Sequence, residues 1–488
     1  SKVIRGWHHG RYRAMRSTRA RELLTEITPK LLESLARTTH PDVAFARFDD
    51  FLGRLPAGVQ LFSLLYANPG LLDLIAEIMG GAPRLADHLS RHAYLLEAVL
   101  ARGFFDPLPP PETLSAELSE ALRQANDFQD TLDIVRRWTK DRQFQVGVRV
   151  LRHVADAEAA GAPLADIADA AIAALKAPVE QEFARLHGRL PGDGIATVAL
   201  GKLGSREMTV TSDLDLIFVY DVPAGEASEE SWNSRLSDGA KPLAPIHYYA
   251  RLAQRLINGI TAPTGEGRLF EVDMRLRPSG NQGAIASSVE GFRRYQLESA
   301  WTWEHMSLTR ARVITGASAL ARRLEAVLRE ILARPRDPSK LAAEVLDMRG
   351  RIAQQYPGDQ FWDIKYRRGG MLDVEFIAQY LQLRAAAADP GVLHQNTAEA
   401  LRRLAAAGSL APAAAEDLIA AGRLWHCLLG MLRLTIGAKL DEAMLSDGLG
   451  RTLATAAGVG DVARLRSQVE DTAERVVAHF ESLIASRV

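Results

Sequence analysis

Apolar residues recur at every third or fourth position along most of the chain, but between Ile195 and about Gly316 the period shortens to two in several places. This pattern predicts an α+β fold, predominantly helical, with a small mixed sheet flanked by helical domains. Residues 1 to about 105 read as helices interrupted at His40-Pro41, Pro56-Ala-Gly58, Pro69-Gly70 and Gly80-Gly-Ala-Pro83. Asp106-Pro-Leu-Pro-Pro-Pro111 is a stiff connector. After it Leu118, Leu122, Ala125, Phe128, Leu132 and Val135 fall on one stripe, which predicts an amphipathic helix. Helical spacing continues to about His187, and Pro191-Gly-Asp-Gly194 turns the chain into a first strand. Asp221 to Pro245, rich in Gly, Ala, Ser and Glu, reads as a long mobile surface loop before a helix from about Ile246 to Ile260. From Ala317 onward the spacing is helical again, punctuated at Pro357-Gly358, Gly369-Gly370 and Asp389-Pro-Gly391. Asn396-Thr-Ala-Glu399 resembles a capping box, and Gly408 sits where that short helix stops. The implied units are an amino-terminal helical linker region (1–111), a catalytic domain (112–335) and a carboxyl-terminal helical bundle (336–488), the last a candidate regulatory domain.

Two alternating stretches carry the chemistry. In Ser212-Asp-Leu-Asp-Leu216, strand periodicity puts Asp213 and Asp215 on one face and Leu214 and Leu216 on the other. Carboxylates at that spacing share divalent cations, and the preceding Gly201-Lys-Leu-Gly204 lets backbone N–H groups approach a polyphosphate. Glu271-Val-Asp-Met-Arg-Leu-Arg277 alternates charged and apolar positions throughout, so Asp273, Arg275 and Arg277 share a face while Val272, Met274 and Leu276 point to a core. If the two strands are neighbours, Asp273 becomes the third carboxylate of a two-metal site and the arginines meet triphosphate charge. That combination describes a nucleotidyl-transfer centre.

Composition narrows the alternatives. The 488 residues exceed one ordinary core and suggest about three units. Lys plus Arg is 59 against 60 Asp plus Glu, a net charge of −1, so no global polycation exists to hold nucleic acid. Cys427 is the only cysteine, which rules out an intrachain disulfide and fits a cytoplasmic location. No stretch approaches the ~18 consecutive apolar residues of a membrane span. The amino terminus, Ser1 to Trp7, lacks a signal-peptide core and an initiator Met, and reads as trimmed.

Gly201-Lys-Leu-Gly204, Ser212-Asp-Leu-Asp-Leu216, Asp273-Met-Arg-Leu-Arg-Pro-Ser-Gly280 and Ala300-Trp-Thr-Trp-Glu-His305 together resemble glutamine synthetase adenylyltransferase, a DNA polymerase β-like nucleotidyltransferase family. Its enzymes join an AMP-removing and an AMP-attaching module, of which one is visible here. Trp301-Thr-Trp-Glu-His305, Thr309-Arg-Ala-Arg312 and Gly369-Gly-Met-Leu-Asp-Val-Glu375 look like the attaching half. The resemblance implies ATP as donor, two Mg²⁺ ions, a tyrosine of glutamine synthetase as acceptor, and PII signalling protein and glutamine as regulators, with neither nucleic acid nor membrane as partner. It assigns Asp213, Asp215 and Asp273 to metal binding and catalysis. Gly201, Gly204 and Ser212 then shape a phosphate loop, and Lys202, Arg275 or Arg277 contact phosphate.

Other residues have blander explanations. Trp301 and Trp303 are expected to pack in a core, with the role of Glu304 open; His8, His9, His394 and His426 are expected to be ordinary surface or core histidines. Asp373 and Glu375 follow a Gly-Gly pair where acids favour the helix dipole. Arg310 and Arg312 read as helix-surface charges or as neighbours of ATP. Competing functions are phosphorolytic AMP removal from the same synthetase, nucleotidyl transfer to a signalling protein, and a regulatory scaffold whose helices bind PII proteins; the region from about 340 to 488, with its apolar run from Leu424 to Ile436, is the candidate for partner or effector sensing, and a bundle core explains that run equally well.

Overall fold

The computed structural model describes residues 2–38, 40–223, 229–437, 440–442 and 445–487. Proline starts three of the amino-terminal helices, Pro41–Arg54, Pro69–Gly81 and Pro83–Arg91, where its fixed φ suits the first turn and its missing N–H costs nothing. These pack with Thr18–Ala36 and Val59–Ala67 around Leu24, Leu31, Phe48, Phe62 and Ile75, all buried. No single helix among the described residues is long and apolar enough to cross a membrane; Val59–Ala67 and Pro69–Gly81 together pass on length and composition, but are bent by 110°.

The amphipathic stripe after the proline-rich connector divides into two helices, Pro111–Leu122 and Phe128–Leu151. Local hydrogen bonding overrides the periodicity at the break. The Asp127 carboxylate accepts from Asp130 N at 2.8 Å, and the Asp130 carboxylate accepts from Asn126 N at 3.0 Å, which together start a new helix. Gly161–His187 then lies across Phe128–Leu151 and Pro245–Thr261, and backs the sheet.

Five strands form that sheet: β1 (Ile195–Ala199), β2 (Leu214–Tyr220), β3 (Val272–Asp273), β4 (Ala286–Ser288) and β5 (Arg312–Thr315). The order is β3-β2-β1-β5, with β4 also on β2; β1 runs antiparallel to β2 and β5, while β3 and β4 run parallel to β2. β1 and most of β2 are buried, as their near-continuous apolar sequences require.

Two expectations for this region need correction. The alternation from Glu271 to Arg277 does not make a strand of that length. Asp273 Oδ1 accepts from Arg275 N at 2.8 Å, an Asx-type turn that ends β3 after Asp273, and Arg277 N donates to Met274 O in the next turn. The stretch from Asp221 to Pro245 is not a plain surface loop either. Residues 224–228 of it lie outside the described residues, but Glu229–Asn233 is helical and Trp232 is completely buried. Ser237 N donates to Leu243 O, and the Asp238 carboxylate accepts from Arg189 N at 2.5 Å, pinning the rest to the start of the sheet.

In the carboxyl-terminal region Met371–Ala385 is buried from Met371 to Leu383 on every side, the signature of a helix inside a core. Pro338–Gln355, Thr397–Ala406, Pro412–Thr435 and Val462–Leu483 surround it. The apolar run from Leu424 to Ile436 serves this packing, since Leu424, Trp425, Leu428, Met431 and Leu432 are buried. Asn396 caps the Thr397–Ala406 helix by accepting from Glu399 N at 3.1 Å, and Gly408 has φ +69° just beyond it.

Candidate functional site

β2 and β3 bring the carboxylates together. Asp215 and Asp273 are direct partners in the parallel register, and Asp213 immediately precedes β2. Leu214 and Leu216 are buried on the opposite face and fix which way the acids point. Burial, and after it the charges of Asp213 and Asp273, push the Asp215 carboxyl up to about 6. Burial also opposes ionisation of Asp273, but hydrogen bonds from Arg275 outweigh it and hold that carboxyl below its ordinary value.

Gly201 is essential to this geometry. It has φ +52°, and a Cβ there would lie 1.9 Å from Asp215 Oδ2. Leu200 N donates to Asp215 O at 2.9 Å, so the chain leaving β1 is held against the same residue. Gly201→Ala is therefore expected to displace the Asp215 carboxylate, lowering turnover by about 10²-fold and stability by about 1–2 kcal/mol. Steady-state rates and thermal melting of the purified variant check both.

The segment expected to be a glycine loop is instead a short helix, Gly201–Ser205. Gly204 faces away from the acids: a Cβ would meet Arg310 O at 2.1 Å and Ala199 O at 2.8 Å, so this glycine permits close packing. Ser212 Oγ accepts from Thr209 N at 2.9 Å and shapes the turn ahead of Asp213. Arg275 pairs with Asp273. Arg277 is directed elsewhere, its guanidinium donating to the carbonyls of Met274, Asn281 and Gly283.

A cleft of about 900 Å³ opens over the acids. It is lined by Gly201, Lys202, Ser212, Asp213, Asp215, Asp273 and Arg275, by Phe144, and by residues from both flanking helical regions, among them Arg84, Lys365 and Arg433. Burial, and then the charge of Lys365, lower the Lys202 ammonium to about 8.

Behind the acids lies a buried network that periodicity did not single out. The Arg310 guanidinium donates to Glu207 and to Glu375 Oε1, and Glu207 also accepts from Thr397 N at 3.1 Å and Thr397 Oγ1 at 3.2 Å. Burial works against ionisation of Glu207, but Arg310 and then His426 overcome it and bring the carboxyl to about 2. Arg310 is thus not a helix-surface charge. Nor is Arg312, which lies on β5 and donates to the Asp169 carboxylate and to Leu203 O. Asp373, beyond its place near a helix start, is fully buried against Arg349 and accepts from Gly369 N at 2.6 Å. No spacing signal could have revealed Lys365, since it stands alone among turns.

The tryptophan expectation also fails at one position. Trp301 is 66% exposed, while Trp303 is half-buried. Glu304, left open by the sequence, is structural: it accepts from Trp301 N and from the Tyr295 hydroxyl, both at 2.9 Å. Burial lowers His305 to about 4, and its Nε2 lies 2.8 Å from Gln296 O.

Among the described residues no group of three or more His, Cys, Asp or Glu side chains is arranged to hold a metal ion; the Asp273 oxygens are occupied by Arg275. The expected three-carboxylate cluster is therefore open at one corner, with a guanidinium as counter-charge. The donors still suit a hard cation, because Asp213 and Asp215 present carboxylate oxygens, and burial, then the charges of Asp213 and Asp273, leave Asp215 short of a counter-charge. Arg275, with a side chain 74% exposed, is free to release the third.

Residues 72–327 match the glutamate-ammonia ligase adenylyltransferase family, and residues 341–484 match the GlnD PII-uridylyltransferase family. Curated relatives named bifunctional glutamine synthetase adenylyltransferase/adenylyl-removing enzyme include those of Mesorhizobium japonicum and Brucella suis. Each is 42% identical over 483 residues, 99% of this chain and 48% of the relative. The one from Rhizobium meliloti is 41% identical over 100% of this chain and 49% of its own length. The chain spans about half the length of the curated relatives it matches. Since the first family match covers more than half of its residues, the chain belongs to the glutamate-ammonia ligase adenylyltransferase family.

Proposed function

We propose that this chain is a nucleotidyltransferase that moves AMP from ATP to a tyrosine hydroxyl of glutamine synthetase and releases pyrophosphate. The observation that carries it is the Asp215–Asp273 pairing beside Asp213, at the floor of a cleft large enough for a nucleotide. Mg²⁺ held by Asp213, Asp215 and Asp273 would neutralise phosphate charge and lower the pKa of the attacking hydroxyl. Gly201, lacking a Cβ, leaves room for the Asp215 carboxylate against the backbone. Lys202 and Arg275 meet phosphate oxygens, and Ser212 shapes the approach to Asp213. Asp273, half-buried beside the exposed Arg275, is the residue to take the phenolic proton, whose ordinary pKa of ~10 makes a base useful at neutral pH.

The division into helical region, catalytic domain and bundle at residues 111 and 335 belongs to the same proposal. Regulation by PII signalling protein is supported by the carboxyl-terminal family match, and glutamine as an effector by the sequence resemblance. A cytoplasmic location accords with these partners. The relatives' printed name includes an adenylyl-removing activity, so direction is the point to test. With unmodified synthetase, ATP and Mg²⁺, pyrophosphate should appear. Release of ADP from adenylylated synthetase plus phosphate, without pyrophosphate formation in the first assay, would reverse the assignment.

A further inference from the structure

The Pro83–Arg91 and Pro412–Thr435 helices come from opposite ends of the chain and pack against each other at the mouth of the cleft. Each contributes an arginine to its lining, Arg84 and Arg433; burial, and after it the charge of Arg433, lower the Arg84 guanidinium. The side chains of Arg84 and Lys202 make no hydrogen bond or ion pair among the described residues, and Arg433 reaches only Gly437 O, at 3.5 Å. Lys365 stands beside Lys202 in the same wall. Of the acids that face this group, Glu375 is engaged by Arg310, and Asp213 and Asp215 belong to the carboxylate site. Four cations from separate elements thus converge on one concave space, beside the carboxylate site formed by Asp213, Asp215 and Asp273. Such a cleft focuses potential on an anion of several charges.

We propose that Arg84 and Arg433 form a two-sided clamp that, with Lys202 and Lys365, grips the polyphosphate of the nucleoside triphosphate. This deepens the adenylyl-donor reading and rests on it for the identity of the ligand. The clamp makes nucleotide occupancy hold the amino-terminal helices against the carboxyl-terminal bundle. It also discriminates: ATP offers β- and γ-phosphates for the arginines to grip, whereas AMP carries only its single phosphate.

Calorimetric titration of the full chain with ATP, AMP and inorganic tripolyphosphate tests the clamp. Arg84→Gln and Arg433→Gln are each expected to weaken ATP and tripolyphosphate by about tenfold, the scale of one lost charged hydrogen bond, and to leave AMP affinity unchanged. Arg402→Gln, which removes an exposed partner of Glu399, should change none of the three. Unchanged ATP and tripolyphosphate affinity in the double Arg84→Gln/Arg433→Gln chain would overturn the clamp, as would an equal loss of AMP binding, which signals a structural role. Arginine-dependent tripolyphosphate binding without any AMP transfer would uphold the clamp and reject the donor reading. A native chain that binds neither ATP nor tripolyphosphate would reject both.

Discussion

Asp215→Asn is expected to abolish AMP transfer, by at least about 10³-fold, while making the metal-free protein more stable at pH 7.5. The activity loss follows from removing the central charge of the carboxylate group. The stability gain follows from its pKa. Folding raises the Asp215 carboxyl to about 6, so the folded state binds a proton more readily than the unfolded chain. The native protein is therefore penalised when the group is ionised, fully above pH 6. That penalty is relieved as pH falls from about 6 towards the ordinary carboxylate value. Its size is on the order of 2–3 kcal/mol at most, from a shift of roughly two units. Asn carries no such charge, so the variant's advantage should vanish near pH 4. Mg²⁺ should stabilise the native chain and have a much smaller effect on Asp215→Asn. Thermal melting across pH, with and without Mg²⁺, reads all of these. A variant that melts below the native chain at pH 7.5 contradicts the electrostatic account.

Arg310→Met should cost about 3–5 kcal/mol of stability, because it leaves Glu207 and Glu375 buried without their shared cation. Glu207 is bonded to the start of the Thr397–Ala406 helix, so the loss also loosens the contact between the catalytic core and the bundle. Adding Glu207→Gln and Glu375→Gln to Arg310→Met should restore part of the stability, since the stranded charges disappear with their partner. Urea unfolding of the single and triple variants measures this. Equal midpoints for native chain and Arg310→Met would show that the network contributes nothing.

The sequence made the paired acids legible because strand geometry is local: two acids separated by one buried leucine must share a face, and Leu214 and Leu216 decide which. The helix boundaries marked by Pro41, Pro69, Pro83 and Gly408 were legible for the same reason, since each residue restricts its own backbone. Periodicity misled where a side chain bonded its own backbone. Asp273 ended β3 and so took Arg277 out of the alternating face, and Asp127 divided one apolar stripe into two helices. Gly204 matched a phosphate-loop spacing yet serves packing against Arg310 O, a contact over a hundred residues away in sequence. Arg84, Lys365 and Arg433 carry no local signal; only the closure of two distant helical regions over the core brings them to the cleft.

Transfer of labelled AMP from α-labelled ATP to purified glutamine synthetase, with Mg²⁺ and with an Asp213→Ala/Asp215→Ala chain alongside, tests the central claim most directly. The account predicts covalent label on the synthetase with the native chain and none with the variant. Equal labelling by both chains, or no labelling by the folded native chain, would contradict it.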